Sequence, residues 1–277
     1  KNIEQLKKLT QKIRNILKDK NYPIMIDQEG GSVNRLNTIL NLSLFSQGYF
    51  GKVYKQDRKK FLIYYKIYIN KLCDIMKYLG ININTVPVLD VRRNNSHKII
   101  GDRSFSSNPN TVKKIGNLCV NIYKNNKIGT VIKHIPGHGL SKVDSHFKVP
   151  FIKENVKNLK KIDFKPFKEN KSFFAMTGHI IYQNIDDKNT ATHSKKIISK
   201  IIRKNIGFKG ILISDDLSMK SLSYSLEVNA LKALRAGCNL VLHCNGNFKE
   251  MSKLAKIIPT IDNFTKKKTS QFYKFLR

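Results

Sequence analysis

Residues 130–146 read TVIKHIPGHGLSKVDSH. A short β-branched run leads into Lys133 and His134. Pro136, Gly137 and Gly139 then break any regular element, and a polar loop ends on Asp144-Ser145-His146. That order predicts a strand running into a long loop. Three histidines, two lysines and an aspartate fall within fourteen residues, a density of proton-handling groups found nowhere else in the chain. If the end of the loop is extended, Asp144 and His146 leave the same face; in a helix they would diverge by roughly 200°. A carboxylate beside an imidazole on one face is the arrangement that orients and tunes a general acid/base.

On either side of this stretch, short apolar runs alternate with longer segments of helical period. Ile3, Leu6, Leu9, Ile13 and Leu17 predict an amphipathic helix over 2–20. YPIMID follows as a strand ending on Asp27, and Gly30-Gly31 turns the chain so that Arg35 can fold back over the same strand end. A helix over 57–79 is stopped by Gly80; ININT and PVLDV are extended segments around Pro87, and residues 92–107 a polar loop. Asn108 caps a helix with Pro109 at its first position, which runs to Lys127. Further on come a helix over 153–170, a strand FFAMTGH ending near His179, a helix SKKIISKIIRKNI capped by Ser194 and closed by Gly207, a strand ILISDD ending on Asp215, a helix over 220–236 and a strand NLVLHC. The tail after Asn247 reads as helical or mixed.

Strands of four to six apolar residues alternating with helices predict parallel β/α units. The polar residues gather at the carboxyl ends of the strands: Asp27, Lys133 with His134, His179 and Asp215. An open doubly wound sheet binds its ligand at a single switch point. Functional groups at four or more strand ends instead favour a (β/α)8 TIM-type barrel, whose active site is assembled from many strand ends. The expectation is one catalytic barrel over residues 1–277.

The bulk composition narrows the function classes. The 277 residues, 40% of them hydrophobic, can bury a sizeable core. No apolar run approaches the roughly 20 residues that a bilayer crossing needs. Cys73, Cys119, Cys238 and Cys244 form no C-x-x-C pair and read as small buried hydrophobes in a reducing cytoplasm. The net charge of +33 raises the alternative of a non-catalytic nucleic-acid binder. Against it, the lysines are spread through every segment and no aromatic residues interleave with them as stacking platforms. The histidines leave a second alternative open, a metal-dependent barrel hydrolase using His134, His138 and His146. Of the remaining polar groups, His138 and Glu29 are expected to secure their own turns, and Asp216 to hydrogen-bond behind Asp215. His179 fits either a pocket wall or a satisfied core residue. Strict alternation would bring only one of Lys133 and His134 to the barrel mouth; both can contribute only if the strand has already ended there.

The motifs IDQEGG (26–31), PVLD (87–90), IGDRSFS (100–106), KHIPGHG (133–139), DSH (144–146) and SDDLSM (214–219) stand in the order found in family 3 glycoside hydrolases. Over roughly residues 5–245 the chain resembles the bacterial β-N-acetylhexosaminidases of peptidoglycan recycling. The resemblance implies retaining removal of a terminal nonreducing β-linked N-acetylglucosamine from muropeptides containing GlcNAc–anhydro-MurNAc. It makes Asp215 the nucleophile that forms a covalent glycosyl intermediate, His146 the acid/base and Asp144 its support. Asp27, Arg35, Arg103, Lys133 and His134 become sugar-binding residues. It also implies a cytoplasmic monomer with no cofactor, no metal, no nucleic-acid partner and no membrane partner. Phosphate in place of water as the acceptor stays open. Family chains normally begin with a further strand before the first helix, and nothing like it precedes Lys1. A barrel lacking or truncated at its first strand, with two unpaired edges, is therefore expected.

Overall fold

The computed structural model describes residues 2–94, 100–141, 143 and 148–277. Six strands form one parallel sheet in the order β1 (Met25–Ile26), β2 (Ile83–Asn84), β3 (Gly129–Ile135), β5 (Phe174–Thr177), β7 (Ile211–Asp216) and β8 (Leu240–Leu242). Met25 pairs with Ile83, Ile83 with Gly129, Val131 with Phe174, Phe174 with Ile211 and Ile213 with Leu240. A separate parallel pair, β4 (Phe151–Ile152) and β6 (Ile181–Tyr182), lies outside this sheet. Residues of two edge strands decide the sheet's shape. Met25 of β1 and Leu240 and Leu242 of β8 pack on one cluster with Ile83, Val131, Phe174, Met176, Ile211 and Ile213. A flat sheet would hold its edges apart; here the strands curl around a common interior, as in a (β/α)8-type barrel. Among the described residues no strand pairs β1 with β8, so the barrel is incomplete along that edge.

Phe272 of the last helix, α8 (Asn263–Leu276), is buried in the same interior cluster. Its ring lies against Gly129, where a Cβ would come within 2.7 Å of it. Outside the strands a larger core joins α3 (Arg58–Tyr78) and α4 (Pro109–Asn125) to the sheet. Phe61, Tyr65, Ile69, Leu72, Cys73 and Met76 of α3 recur every three to four residues on its buried face. Asp57 starts α3 by accepting from the Lys59 and Lys60 N–H groups, and Asn108 does the same for α4 from Asn110 and Thr111.

The first helix forms as expected, α1 (Ile3–Leu17), with Leu9 and Leu17 about half exposed and Thr10 buried, donating to the Leu79 carbonyl. The elements differ from the sequence expectation in three places. A second helix, α2 (Gln47–Gln56), was not expected because Gly48 and Gly51 weaken its helical signal. Gly51 is required by packing rather than by conformation, since a Cβ there would fall 1.7 Å from the Phe105 carbonyl oxygen. The helix over 153–170 is divided into α5 (Val156–Lys161) and a single 3₁₀ turn at Lys165–Phe167, where Pro166 cannot continue an α-helix. The helix after Ser194 is π-helical over Ile197–Ile206, with Ser194 accepting from the Ile197 N–H at 3.0 Å and Gly207 ending it.

Candidate active site

The carboxyl ends of the strands surround a cavity of about 510 Å³, a size suited to a small ligand. Asp27, Arg35, Arg103, Lys133, His134 and Asp215 all line it, so six of the eight sequence candidates meet at one place. The other two, Asp144 and His146, lie outside the described residues.

One wall is an interlocked set of charges. Lys133 Nζ sits 2.5 Å from Asp27 Oδ1, 2.5 Å from Glu29 Oε1 and 3.1 Å from Thr85 Oγ1. Thr85 also donates to Asp27. Arg103 grips Glu29 with two parallel bonds, Nε to Oε2 and Nη2 to Oε1, both 2.8 Å. Burial pushes the Asp27 and Glu29 carboxyls up, but Lys133 and Arg103 outweigh it and hold both below the usual carboxylate range. Burial lowers Lys133 in turn, and the two carboxylates bring it above its ordinary value. Arg35 is more exposed and reaches Asp27 Oδ2 at 3.4 Å. Glu29 thus does more than secure its turn. Its backbone N–H does so, donating to the Val33 carbonyl at 3.0 Å, while its side chain anchors the two cations.

The second wall is built on β3. Both Lys133 and His134 reach the cavity, which strict alternation along the strand would not allow. The pairing of β3 with β5 shifts between Lys133 and Ile135, so strict alternation ends at this point. The imidazole of His134 contacts Asp90 through Nδ1 at 2.7 Å. The same carboxylate accepts the backbone N–H groups of His134 at 3.3 Å and His138 at 2.6 Å. Burial raises Asp90, but the two histidines prevail and hold it below the carboxylate range. The His138 ring also lines the cavity, 5.4 Å from that of His134, and burial lowers it to about 4, leaving it neutral at pH 7. Neither Asp90 nor Thr85 was picked out as a site residue from sequence. The signal available for Asp90 was a carboxylate closing the apolar PVL run.

Opposite stands Asp215 on β7, whose preceding residues Ile211–Ser214 are all buried. Burial raises its carboxyl, while His134, His179, the Asp216 N–H at 2.8 Å and Lys133 lower it, with the net shift downward. The group is an ionised carboxylate on a rigid support. Asp216 also lines the cavity, and its carboxylate accepts from Ser218 N–H, Ser218 Oγ and Cys244 N–H. His179 is a satisfied core residue: Nδ1 meets Thr192 Oγ1 at 2.7 Å and Nε2 meets the Asp216 carbonyl at 3.0 Å. Cys244 departs from the expected burial of all four cysteines, being exposed and part of the cavity lining. Among the described residues no three His, Cys, Asp or Glu side chains are grouped to hold a metal ion. No helix among them is long and apolar enough to cross a membrane.

Fold and site together define an enzyme built on a (β/α)8-type barrel, with its charged groups gathered around a cavity at the strand ends. The chain belongs to glycosyl hydrolase family 3, whose N-terminal domain matches residues 1–271. It is therefore a glycoside hydrolase. Among curated relatives, the β-hexosaminidase of Photobacterium profundum is 31% identical over 281 residues, covering 99% of this chain and 81% of that protein. The β-hexosaminidase of Hydrogenovibrio crunogenus is 32% identical over 248 residues, covering 88% and 68%. Among solved structures, NagZ from Neisseria gonorrhoeae in complex with N-trifluoroacetyl-D-glucosamine superposes with a TM-score of 0.87 at 26% identity, covering 99% of this chain and 79% of that one.

Proposed function

We propose that this chain hydrolyses terminal nonreducing β-linked N-acetylglucosamine with retention of configuration, through a covalent intermediate on Asp215. The observation that carries the reading is the Asp215 carboxylate itself, half-buried, held ionised and lining the cavity from the end of β7. A retaining glycosidase needs one such anion beneath the anomeric carbon and one proton donor at the leaving oxygen. Asp215 attacks the anomeric carbon as His146 protonates the departing oxygen. Water then attacks the glycosyl ester as His146 takes its proton, releasing the sugar and free Asp215. An imidazole titrating near neutrality suits both steps, and Asp144 would orient it. Asp27, Arg35, Arg103, Lys133 and His134 supply the donors and acceptors that a ring of sugar hydroxyls requires.

The β-hexosaminidase relatives and the glucosamine derivative bound to the Neisseria gonorrhoeae structure support N-acetylglucosamine as the sugar. The natural substrate in this reading is the GlcNAc–anhydro-MurNAc unit of muropeptides, handled by a cytoplasmic monomer without cofactor. The test is hydrolysis of an aryl β-GlcNAc, with the aryl β-glucoside as control, by wild type, Asp215→Ala and His146→Ala. Asp215→Ala should lose nearly all activity on aryl glycoside and disaccharide alike. His146→Ala should lose much less on the aryl substrate, whose leaving group needs little protonation. Equal aryl activity in wild type and Asp215→Ala would refute the reading.

A further inference from the structure

We infer that Asp90 is a positioning residue of the site, which fixes the proton of His134 on Nδ1 and pins the root of the catalytic loop with the same carboxylate. The inference deepens the reading above and rests on it for its kinetic consequence, since it concerns a side chain that the sugar would meet.

Asp90 is fully buried at the end of the PVLD segment. Each oxygen has its own task. Oδ2 lies 2.7 Å from His134 Nδ1, while Oδ1 accepts the N–H groups of His134 and His138. An ionised carboxylate can only accept, so the hydrogen in the Nδ1 contact belongs to the ring. With Nδ1 turned to the wall, Nε2 is the ring nitrogen left for the cavity, and in the neutral imidazole it is an acceptor. A hydroxyl donor of the ligand is the partner that this nitrogen favours. The second task concerns the loop. His138 N–H is held by Asp90, Gly137 N–H donates to the His134 carbonyl at 2.8 Å, and Gly139 packs on the Val91 backbone, where a Cβ would fall 2.0 Å from the carbonyl oxygen. The segment that orients His134 therefore also seats the start of the loop leading to Asp144 and His146.

The geometry makes Asp90→Asn a selective change. The two backbone N–H groups can be satisfied only by an oxygen, so they hold the amide with its carbonyl toward them. Its NH2 must then face His134 Nδ1, and two donors cannot share that contact. The ring is driven to the other tautomer, with a bare Nδ1 and the proton on Nε2, while the loop root keeps its acceptor.

The experiment is ¹⁵N NMR of histidine-labelled protein without ligand, with the His134 signals assigned by their loss in His134→Gln. Wild type should show a protonated Nδ1, and Asp90→Asn an unprotonated one. A bare Nδ1 in wild type, which needs no variant to detect, overturns the inference; so does the same protonation in both proteins. The kinetic arm compares aryl β-GlcNAc hydrolysis. Asp90→Asn should lower kcat/KM by roughly 10- to 100-fold in the wild-type background, and by less than about threefold in His134→Gln, because the effect passes through that ring. Losses that multiply independently contradict it. Should wild type prove inactive on every N-acetylglucosaminide, the functional reading falls while the NMR result still decides the tautomer.

Discussion

Lys133 Nζ lies 2.5 Å from Glu29 Oε1, with the two side chains 3% and 1% exposed. Arg103 closes the same carboxylate from the other side through its paired 2.8 Å bonds. Two cations that line a sugar-sized cavity are thus held by an anion that does not line it. Glu29 neutralises and aims the groups that a ligand would meet, and the barrel supplies the burial that makes this pairing strong.

Removing that anion while keeping its shape should be costly. Glu29→Gln leaves Arg103 and Lys133 facing each other with Asp27 as the remaining counter-charge. Breaking a buried pair in this way typically costs about 3–5 kcal/mol. Urea denaturation monitored by circular dichroism should show an unfolding free energy lower by that amount, with a lower midpoint, and an unchanged midpoint would show that the pair contributes little.

Asp163 provides a pH signature of stability. Burial raises its carboxyl to about 7, partly countered by Arg93, whose Nη1 is 4.0 Å from Oδ2. The unfolded group titrates near 3.8, the ordinary value of an aspartate. The folded protein therefore binds the proton more tightly, and stability present below the unfolded pKa is lost as pH rises through the folded one. Asp163→Asn lacks this titration. Relative to wild type, its unfolding free energy should improve by about 2–3 kcal/mol between pH 5 and pH 8. Denaturation curves at the two pH values measure the difference, and parallel behaviour of the two proteins would refute it.

Gly139 tests the seat of the loop proposed to carry the acid/base. The 2.0 Å approach that a Cβ would make to the Val91 oxygen involves backbone, which cannot swing aside. Gly139→Ala should destabilise the protein by about 1–3 kcal/mol, as overpacking does. It should also depress kcat on a disaccharide by roughly tenfold or more with a smaller change in KM, because a misplaced acid/base slows chemistry more than binding. Steady-state kinetics on the disaccharide decide this, and an unaltered kcat would free the loop from that contact.

Much of this site was legible in the sequence because strand ends carry strong local signals. Asp27, Lys133, His134 and Asp215 each follow a short apolar run, and alternating β/α units place such ends on one face. Contacts made across the fold were less legible. Lys133 and His134 both reach the cavity only because the pairing of β3 shifts at that point, and no residue-type pattern announces such a shift. Glu29 looked like a turn residue because its role depends on Arg103, seventy-four positions away. The helix α2 was hidden by Gly51, whose presence answers to Phe105 across the fold rather than to its own neighbours. The exposed stripe of α1 and the π-helical turns of Ile197–Ile206 likewise reflect tertiary packing that a period of three to four residues does not encode.

The most direct test of the account is to trap the glycosyl-enzyme. A fluorinated aryl β-GlcNAc that forms the intermediate quickly and releases it slowly is incubated with the protein, which is then quenched, digested and analysed by mass spectrometry. The account predicts one added sugar residue on the peptide containing Asp215, localised to that side chain and absent from Asp215→Ala. Release of the aryl group with no adduct on Asp215, or an adduct on Asp216 instead, would contradict it.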